Sequence, residues 1–269
     1  MSETPARKVR APEAPPSGLF DRLLRSGKSI THGITMIPIY LVASLLVGVS
    51  ITPGIFVYRA ISGLAEGLST GIQTLSMGVG IAAAFFTYGF TLLFVIPLAN
   101  LPIRRSIRAC RGSYHSALFL PWYLHNSLAY IVRYSFLDFV TPTPLNHLYF
   151  RMMGMKVGKN AQINTSNISD AALLTIEENA TIGGSATIIA HYAQGGYLIL
   201  APTVIRKGAT VGILATIMAD VEIGEGAKIL PNSVVLPKTR VPAGETWGGV
   251  PARKIDLLRE SRAPSETQS

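Results

Sequence analysis

The chain has 269 residues, 48% of them hydrophobic, with a mean hydropathy of +0.36 and a formal net charge of +9. It is long enough for a membrane segment plus one domain of ordinary size, and too apolar for a wholly soluble enzyme. The single cysteine, Cys110, excludes an internal disulfide and a cysteine-based metal cluster.

The charge is unevenly placed. Residues 1–30 carry six Lys/Arg against three acids, residues 101–160 eight against one, and residues 161–269 nine against ten. The basic excess therefore flanks an apolar region, which points to a membrane surface rather than nucleic acid. Residues 1–18 are rich in Pro, Ser and charge, and residues 1–30 are expected to form a disordered basic N-terminus. No cleavage signal is evident, because the first long apolar run begins only after Lys28.

A transmembrane hairpin is expected over 31–111. Its first span is Ile34–Tyr58, 25 residues without a formal charge, and its second is Val79–Ala99, 21 more. Pro38 and Pro53 sit near the ends of the first, where breaks cost least. Between the spans, Ile61, Leu64, Leu68, Ile72 and Leu75 fall at helical spacing, so a short surface-lying helix is expected within 59–78. Arg22, Arg25 and Lys28 precede the first span, and Arg104, Arg105, Arg108 and Arg111 follow the second. The positive-inside bias then puts both ends in the cytoplasm, with an integral protein of a bacterial inner membrane as the expected setting. Residues 112–154 open on an uncharged run holding His115, Pro121, His125 and Asn126, with Trp122, Tyr123 and Tyr130 suited to the headgroup zone. The segment reads as interfacial or re-entrant; a third span is the other reading.

A different period takes over from 155 to 253. Ile199, Ile205, Val211, Ile217, Ile223, Ile229, Val235 and Val241 recur every sixth residue, and the position four further on is mostly small: Thr203, Ala209, Ala215, Val221, Ala227, Ser233, Thr239. A period of six is neither helical nor a plain strand alternation; it is that of a parallel β-helix of hexapeptide units, three to a coil. Gly208, Gly212, Gly224 and Gly226 are expected in its turns. The repeat opens at Val157 and Ile163, slips before Ile176, continues through Ile182 and Ile188, and is expected to loop out five residues near Gln194–Leu198 before Ile199. Residues 254–269 form a tail.

The repeat and its sequel resemble the hexapeptide-repeat acyltransferases, whose tail pattern G-x-P-A-[RK] appears as Gly249-Val250-Pro251-Ala252-Arg253. The longer block is similar to the membrane-embedded C-terminal part of poly-lysine-synthetase-type peptide synthetases. It has two apolar spans, then Thr143-Pro144-Leu145 to Tyr149-Phe150-Arg151, then Met155 to Lys159, over about residues 80–253. This resemblance implies a left-handed winding, so the expected fold is an α-helical transmembrane hairpin followed by an all-β left-handed parallel β-helix. It also implies a homotrimer with sites between neighbouring subunits, and transfer of an acyl group, acetyl foremost, from acetyl-CoA or another acyl-CoA to a hydroxyl or amine. With no adenylation or carrier domain in these residues, the chain is expected to be a free-standing relative.

One histidine acts as general base in that family. An imidazole suits the task because it titrates near working pH. His191 is the one histidine of the repeat and sits where the coil breaks, ahead of Gly195-Gly196. Asn164 and Asp170, about one coil earlier, are candidates for orienting it, with corner residues as the plainer alternative. Gly212 and the Gly195-Gly196 turn are candidates for oxyanion donors. Lys238, Arg240, Arg253 and Lys254 are candidates for CoA phosphates, or solvated surface charges. Trp247 either stacks on the cofactor or caps the core. No metal site is expected, since one histidine and no cysteine in the coils do not make the ligand set of the carbonic anhydrases that share such coils.

Three functions remain open on these residues. The first is an anchored acyltransferase acting on a lipid or lipid-linked acceptor. The second is an aminoacyl or peptide-bond-forming transferase working with a carrier protein. The third is a non-enzymatic trimeric membrane scaffold.

Overall fold

The computed structural model describes residues 19–256. Two long helices come first, α1 (Leu19–Gly63) and α2 (Thr70–Arg104). They run antiparallel and touch closely: a Cβ on Gly54 would lie 2.7 Å from the Ala84 carbonyl oxygen, and the Ser76 hydroxyl donates to the Ile61 carbonyl at 2.7 Å. Ser50, Thr52, Thr87 and Thr91 each donate to the carbonyl four residues earlier, at 2.7–2.9 Å. Those bonds let hydroxyls sit on apolar helices at little cost. Met36–Gly63 and Thr70–Arg104 are long and apolar enough to cross a membrane, and only 22% and 28% of their most apolar stretches are buried within the molecule. Large side chains such as Tyr40, Leu45, Phe56, Leu75 and Leu98 are exposed.

Two boundaries differ from expectation. α1 begins at Leu19, inside the stretch expected to be disordered to residue 30; residues 1–18 lie outside the described residues. A separate surface helix over 59–78 does not form. α1 continues to Gly63, a turn carries residues 64–69, and α2 takes the remainder. Ile61 belongs to α1 and Ile72 and Leu75 to α2, while Leu64 and Leu68 fall in the turn between them, so the spacing there is not that of one helix.

α3 (Leu120–Ser135) and α4 (Pro144–Met152) follow, with a 3₁₀ turn at Leu137–Val140 between them. Pro144 occupies the first turn of α4, and the Thr143 hydroxyl caps it by accepting from the Leu145 amide at 3.2 Å. α3 has 16 residues, fewer than the ~20 that cross a bilayer. Its Leu128 and Val132, with Phe136, Phe150 and Met153, join Ile163, Ile168 and Ile176 in one continuous core. The segment therefore seals the first coil of the repeat. It is also fastened to α2, where the Phe136 ring lies so near Gly89 that no Cβ fits.

The repeat is a three-faced parallel β-helix. One face stacks Lys156–Val157, Leu174–Ile176, Thr203–Ile205, Glu222–Ile223 and Arg240–Val241. The second stacks Gln162–Ile163, Thr181–Ile182, Thr210–Val211, Lys228–Ile229 and Thr246–Gly248, closed by antiparallel Arg253–Lys254. The third stacks Thr187–Ile188, Thr216–Ile217 and Val234–Val235, with Ile168 bridging to Ile188. Val211, Ile217, Ile223, Ile229, Val235 and Val241 are buried at 2% exposure or less. The slip before Ile176 is thereby explained: Ile168, five residues after Ile163, fills the third face of the first coil.

The rung after Ile188 is Ile205, not Ile199, since Thr203–Ile205 pairs with Leu174–Ile176. Seventeen residues separate them, so the excursion is eleven residues beyond a hexad rather than five. It forms a hairpin, His191–Gln194 against Tyr197–Leu200, in which Ile199 faces Tyr192 across the strands. Periodicity alone admitted Ile199 because 199 and 205 differ by six.

Most corners turn through a left-handed residue placed just before the small one. Asn160, Asn179, Asp220 and Asn232 serve there at φ 54–59°, a conformation their short polar side chains tolerate. Gly212 serves otherwise. A Cβ there would lie 2.5 Å from Pro231 N and 2.7 Å from Leu230 C, both backbone atoms of the next coil. Gly212→Ala is therefore expected to cost ~1–3 kcal/mol, since only separating the coils relieves the clash. Gly184→Ala, whose new Cβ would meet nothing nearer than the Asn164 oxygen at 3.8 Å, is expected to change little. Thermal unfolding of the two variants beside the parent checks this.

Candidate active site

The site forms where the regular coil is interrupted twice. After Ile168 the chain does not run on to a standard corner; Asp170 takes a left-handed conformation (φ 63°, ψ 39°) and starts a 3₁₀ turn over Ala171–Leu173. One coil later the hairpin leaves the β-helix at His191. The Asp170 carboxylate is fully buried and accepts four hydrogen bonds. His191 Nδ1 lies 2.6 Å from Oδ2, which also accepts from the Ala190 amide at 2.8 Å. Oδ1 accepts from the Trp122 indole at 2.6 Å and from the Asn126 amide at 3.0 Å.

Trp122 and Asn126 come from α3, four residues apart and so on one helical face. Asn126 also accepts from the Asp170 backbone amide at 3.3 Å. The Trp122 ring meets His191 edge to face, with centroids 5.0 Å apart. Beneath them Phe119, Trp122, Leu198 and Leu200 form a small second core. The hairpin is held from outside by Cys110–Ser113, the strand just after α2, which pairs antiparallel with Tyr197–Leu200, while the Arg111 guanidinium lies 4.2 Å from the Tyr197 ring centroid.

Burial by itself would raise the Asp170 pKa, but His191, the Ala190 amide and the Trp122 indole together hold it below the usual carboxylate value. The group is therefore an anion at neutral pH. An anion on Nδ1 places the imidazole proton there and leaves Nε2 with its lone pair, on a side chain 25% exposed. A buried carboxylate fixing the tautomer of a partly exposed imidazole is an arrangement suited to taking a proton from an incoming hydroxyl or amine.

The other sequence candidates are scattered. Asn164 is not the partner of His191. Its backbone N–H donates to the Ile182 carbonyl at 3.0 Å, and the residue lines a separate polar pocket of about 360 Å³ with His147 and Arg151. Gly212 lies at the coil contact described above and its amide donates to the Ile229 carbonyl at 2.8 Å, so it offers no oxyanion donor within this chain. Arg240 pairs with Asp220 at 2.6 Å. Trp247 stacks on Ile229 at the end of the second face and donates to Glu245 at 2.8 Å, which is core capping. Lys254 pairs with Glu245 at 2.6 Å, while Lys238 and Arg253 are exposed.

Trp122, expected in the headgroup zone, and Asn126, given no role by the sequence, are instead buried against Asp170. The available signal was a Trp and an Asn in i, i+4 spacing on the face of α3 that turns inward, where a buried amide needs a polar partner. Trp122→Phe keeps most of the ring but removes one donor from a buried anion. A stability loss of ~1–3 kcal/mol is expected, read as a lowered thermal midpoint in detergent.

Residues 202–237 match the family model for the bacterial transferase hexapeptide (six repeats). The putative acetyltransferase YvoF of Bacillus subtilis (strain 168) is 32% identical over 119 residues, covering 43% of this chain and 67% of that protein. The chain belongs to the bacterial hexapeptide-repeat transferase family. δ-Poly-L-ornithine synthetase of Acinetobacter baumannii (strain AB307-0294) is 29% identical over 116 residues, 43% of this chain but 9% of the synthetase. A hexapeptide-repeat acetyltransferase of Vibrio cholerae, solved with acetyl coenzyme A, aligns with TM-score 0.41 and 22% identity over 49% of this chain and 86% of that one. This hexapeptide-repeat transferase spans 9%, 38% and 35% of its first three curated relatives, which are that synthetase, a mitochondrial γ carbonic anhydrase of Arabidopsis thaliana and a serine acetyltransferase of Buchnera aphidicola.

Proposed function

We propose that this protein is a membrane-anchored acyltransferase with His191 as general base. His191 Nε2 takes the proton of an acceptor hydroxyl or amine as that group attacks the carbonyl carbon of an acyl thioester, acetyl-CoA foremost. The tetrahedral intermediate collapses with loss of the thiolate, which receives the proton back from the imidazolium. One acyl–oxygen or acyl–nitrogen bond forms, one carbon–sulfur bond breaks, and free thiol leaves. The Asp170 anion steadies the imidazolium through the step. The observation that carries this reading is the 2.6 Å contact between His191 Nδ1 and a carboxylate held by three further donors.

The anchor is read from α1 and α2, whose apolar surfaces face outward, with Arg104 ending α2 and Arg105, Arg108 and Arg111 just after it. By the positive-inside bias the repeat then lies on the cytoplasmic side. An anchored enzyme gains most from an acceptor confined to the same surface, such as a lipid-linked sugar or amine. The family resemblance supports a left-handed winding and a trimer, with the exposed Lys238 and Arg253 left to meet CoA phosphates across subunits. The match to an ornithine-polymer synthetase favours one second reading, aminoacyl transfer from a carrier protein. The two separate on donor choice. Purified protein is given acetyl-CoA and, in a parallel reaction, an aminoacyl-carrier thioester, with a panel of amine and hydroxyl acceptors. Acceptor-dependent thiol release from acetyl-CoA alone supports the first reading, and release from the carrier alone supports the second. Release from neither removes both.

A further inference from the structure

A groove of about 510 Å³ opens between the three helices that meet at the repeat-side end of the apolar pair. α1 contributes Pro38 and Ile39, α2 contributes Pro102 and Ile103, and α3 contributes Leu120, Pro121 and Leu124; among the described residues Ser106 is the single polar one lining it. Its size falls within the ~300–1,000 Å³ of pockets that take one small ligand. Its position is set by the apolar helices. Pro38 and Ile39 stand two or three residues inside the start of the Met36–Gly63 span, and Pro102 and Ile103 just before the end of the Thr70–Arg104 span. The groove therefore sits at the boundary where hydrocarbon gives way to headgroups.

The charge at that boundary has one sign. The chain carries no acidic residue from 67 to 137, and Arg104, Arg105, Arg108 and Arg111 follow the groove walls closely in sequence. Arg104 is engaged, donating to the Arg151 and Met152 carbonyls. Arg105, immediately before the lining Ser106, and Arg108, two residues after it, are exposed. Apolar walls bordered in sequence by exposed arginines fit a chain of hydrocarbon that ends in an anion.

We propose that this groove seats the acyl chain of a membrane lipid with an anionic headgroup. The inference rests on the reading of α1 and α2 as bilayer-embedded. The lipid would lie directly behind the site: α3 presents Leu120, Pro121 and Leu124 to the groove, and Trp122 and Asn126 to Asp170. A lipid held there sits one helix away from His191, where it would brace the helix that clamps the carboxylate.

Full-length protein is reconstituted into phosphatidylcholine vesicles. The vesicles carry a trace of either phosphatidylglycerol or phosphatidylcholine with a photoactivatable acyl chain, and the labelled peptides are mapped. Label from phosphatidylglycerol should concentrate on 102–106 and 120–124, ~5-fold over phosphatidylcholine. Arg105→Ala with Arg108→Ala should bring the two lipids level. Leu124→Trp should clear the groove of label while background label on the exposed faces around Leu45 and Phe90 persists. Even labelling along α1 and α2, or equal labelling by the two lipids, overturns the proposal. His191→Asn protein should label as the parent does, so loss of the lipid site and loss of acyl transfer are read independently. Release of the protein from membranes by alkaline carbonate would instead overturn the bilayer reading on which the groove depends.

Discussion

Replacing His191 with asparagine is expected to lower kcat for acyl transfer by ~10²–10⁴-fold while leaving the thermal midpoint close to that of the parent. Asparagine keeps an N–H that can reach Asp170 Oδ2, so the buried anion retains its fourth donor and the hairpin retains its anchor. It has no group that accepts and returns a proton at neutral pH. His191→Ala should reduce turnover equally, but it strips one donor from a carboxylate that is wholly buried, and a stability loss of ~1–3 kcal/mol should accompany it. The pair separates chemistry from folding: equal activity losses with unequal unfolding midpoints place the effect on the imidazole. Thiol release with saturating acetyl-CoA is the measurement for turnover, and circular dichroism against temperature for stability. Activity within tenfold of the parent in His191→Asn would remove His191 from the reaction.

The six-residue period was legible because stacking is local. Each buried aliphatic residue is answered by the next coil, so Val211 through Val241 declare themselves without knowledge of anything distant. His191 stood out for a related reason, as the one imidazole in a stretch of short aliphatic and polar residues. Asp170 could be named as a candidate beside Asn164 but not chosen over it, because the choice depends on Trp122 and Asn126, which lie 48 and 44 residues earlier. Two groups so distant in sequence meet only because α3 docks on the first coil, and no local pattern encodes that docking. The same limit applies to the hairpin. Ile199 matches the rung period arithmetically, yet its place is decided by Thr203–Ile205 pairing with Leu174–Ile176, a contact across 29 residues. Among the cationic candidates near the tail, Arg240 and Lys254 find partners in Asp220 and Glu245, pairings that need the coils in place and that no local pattern announces.

Asp170→Asn should disturb both folding and chemistry, and its effect should depend on pH in one direction. Each carboxylate oxygen accepts two donors, Trp122 and Asn126 on one, His191 and the Ala190 amide on the other. An amide replaces one acceptor oxygen by an NH₂ group, so whichever way it turns, two donors face a donor. At ~1–3 kcal/mol for each buried group left unmade, a loss of ~1–6 kcal/mol is expected at neutral pH, the lower end where the imidazole turns to accept. If the amide nitrogen faces His191, the imidazole can answer only by turning Nδ1 into an acceptor. The proton then moves to Nε2, which no longer serves as a base, and transfer should fall ~10²–10⁴-fold. The pH dependence follows from the lowered Asp170 pKa. As acid is added the unfolded chain takes up this proton before the folded one does, so the contribution of the carboxylate is full above its ordinary titration range, near ~4, and is lost as pH falls through the lower folded value. The parent and Asp170→Asn should therefore differ in thermal midpoint by a constant amount above about pH 5 and converge below it. A gap that stays constant down to pH 3, or that widens with acid, would show that the carboxylate is not held as an anion by this clamp.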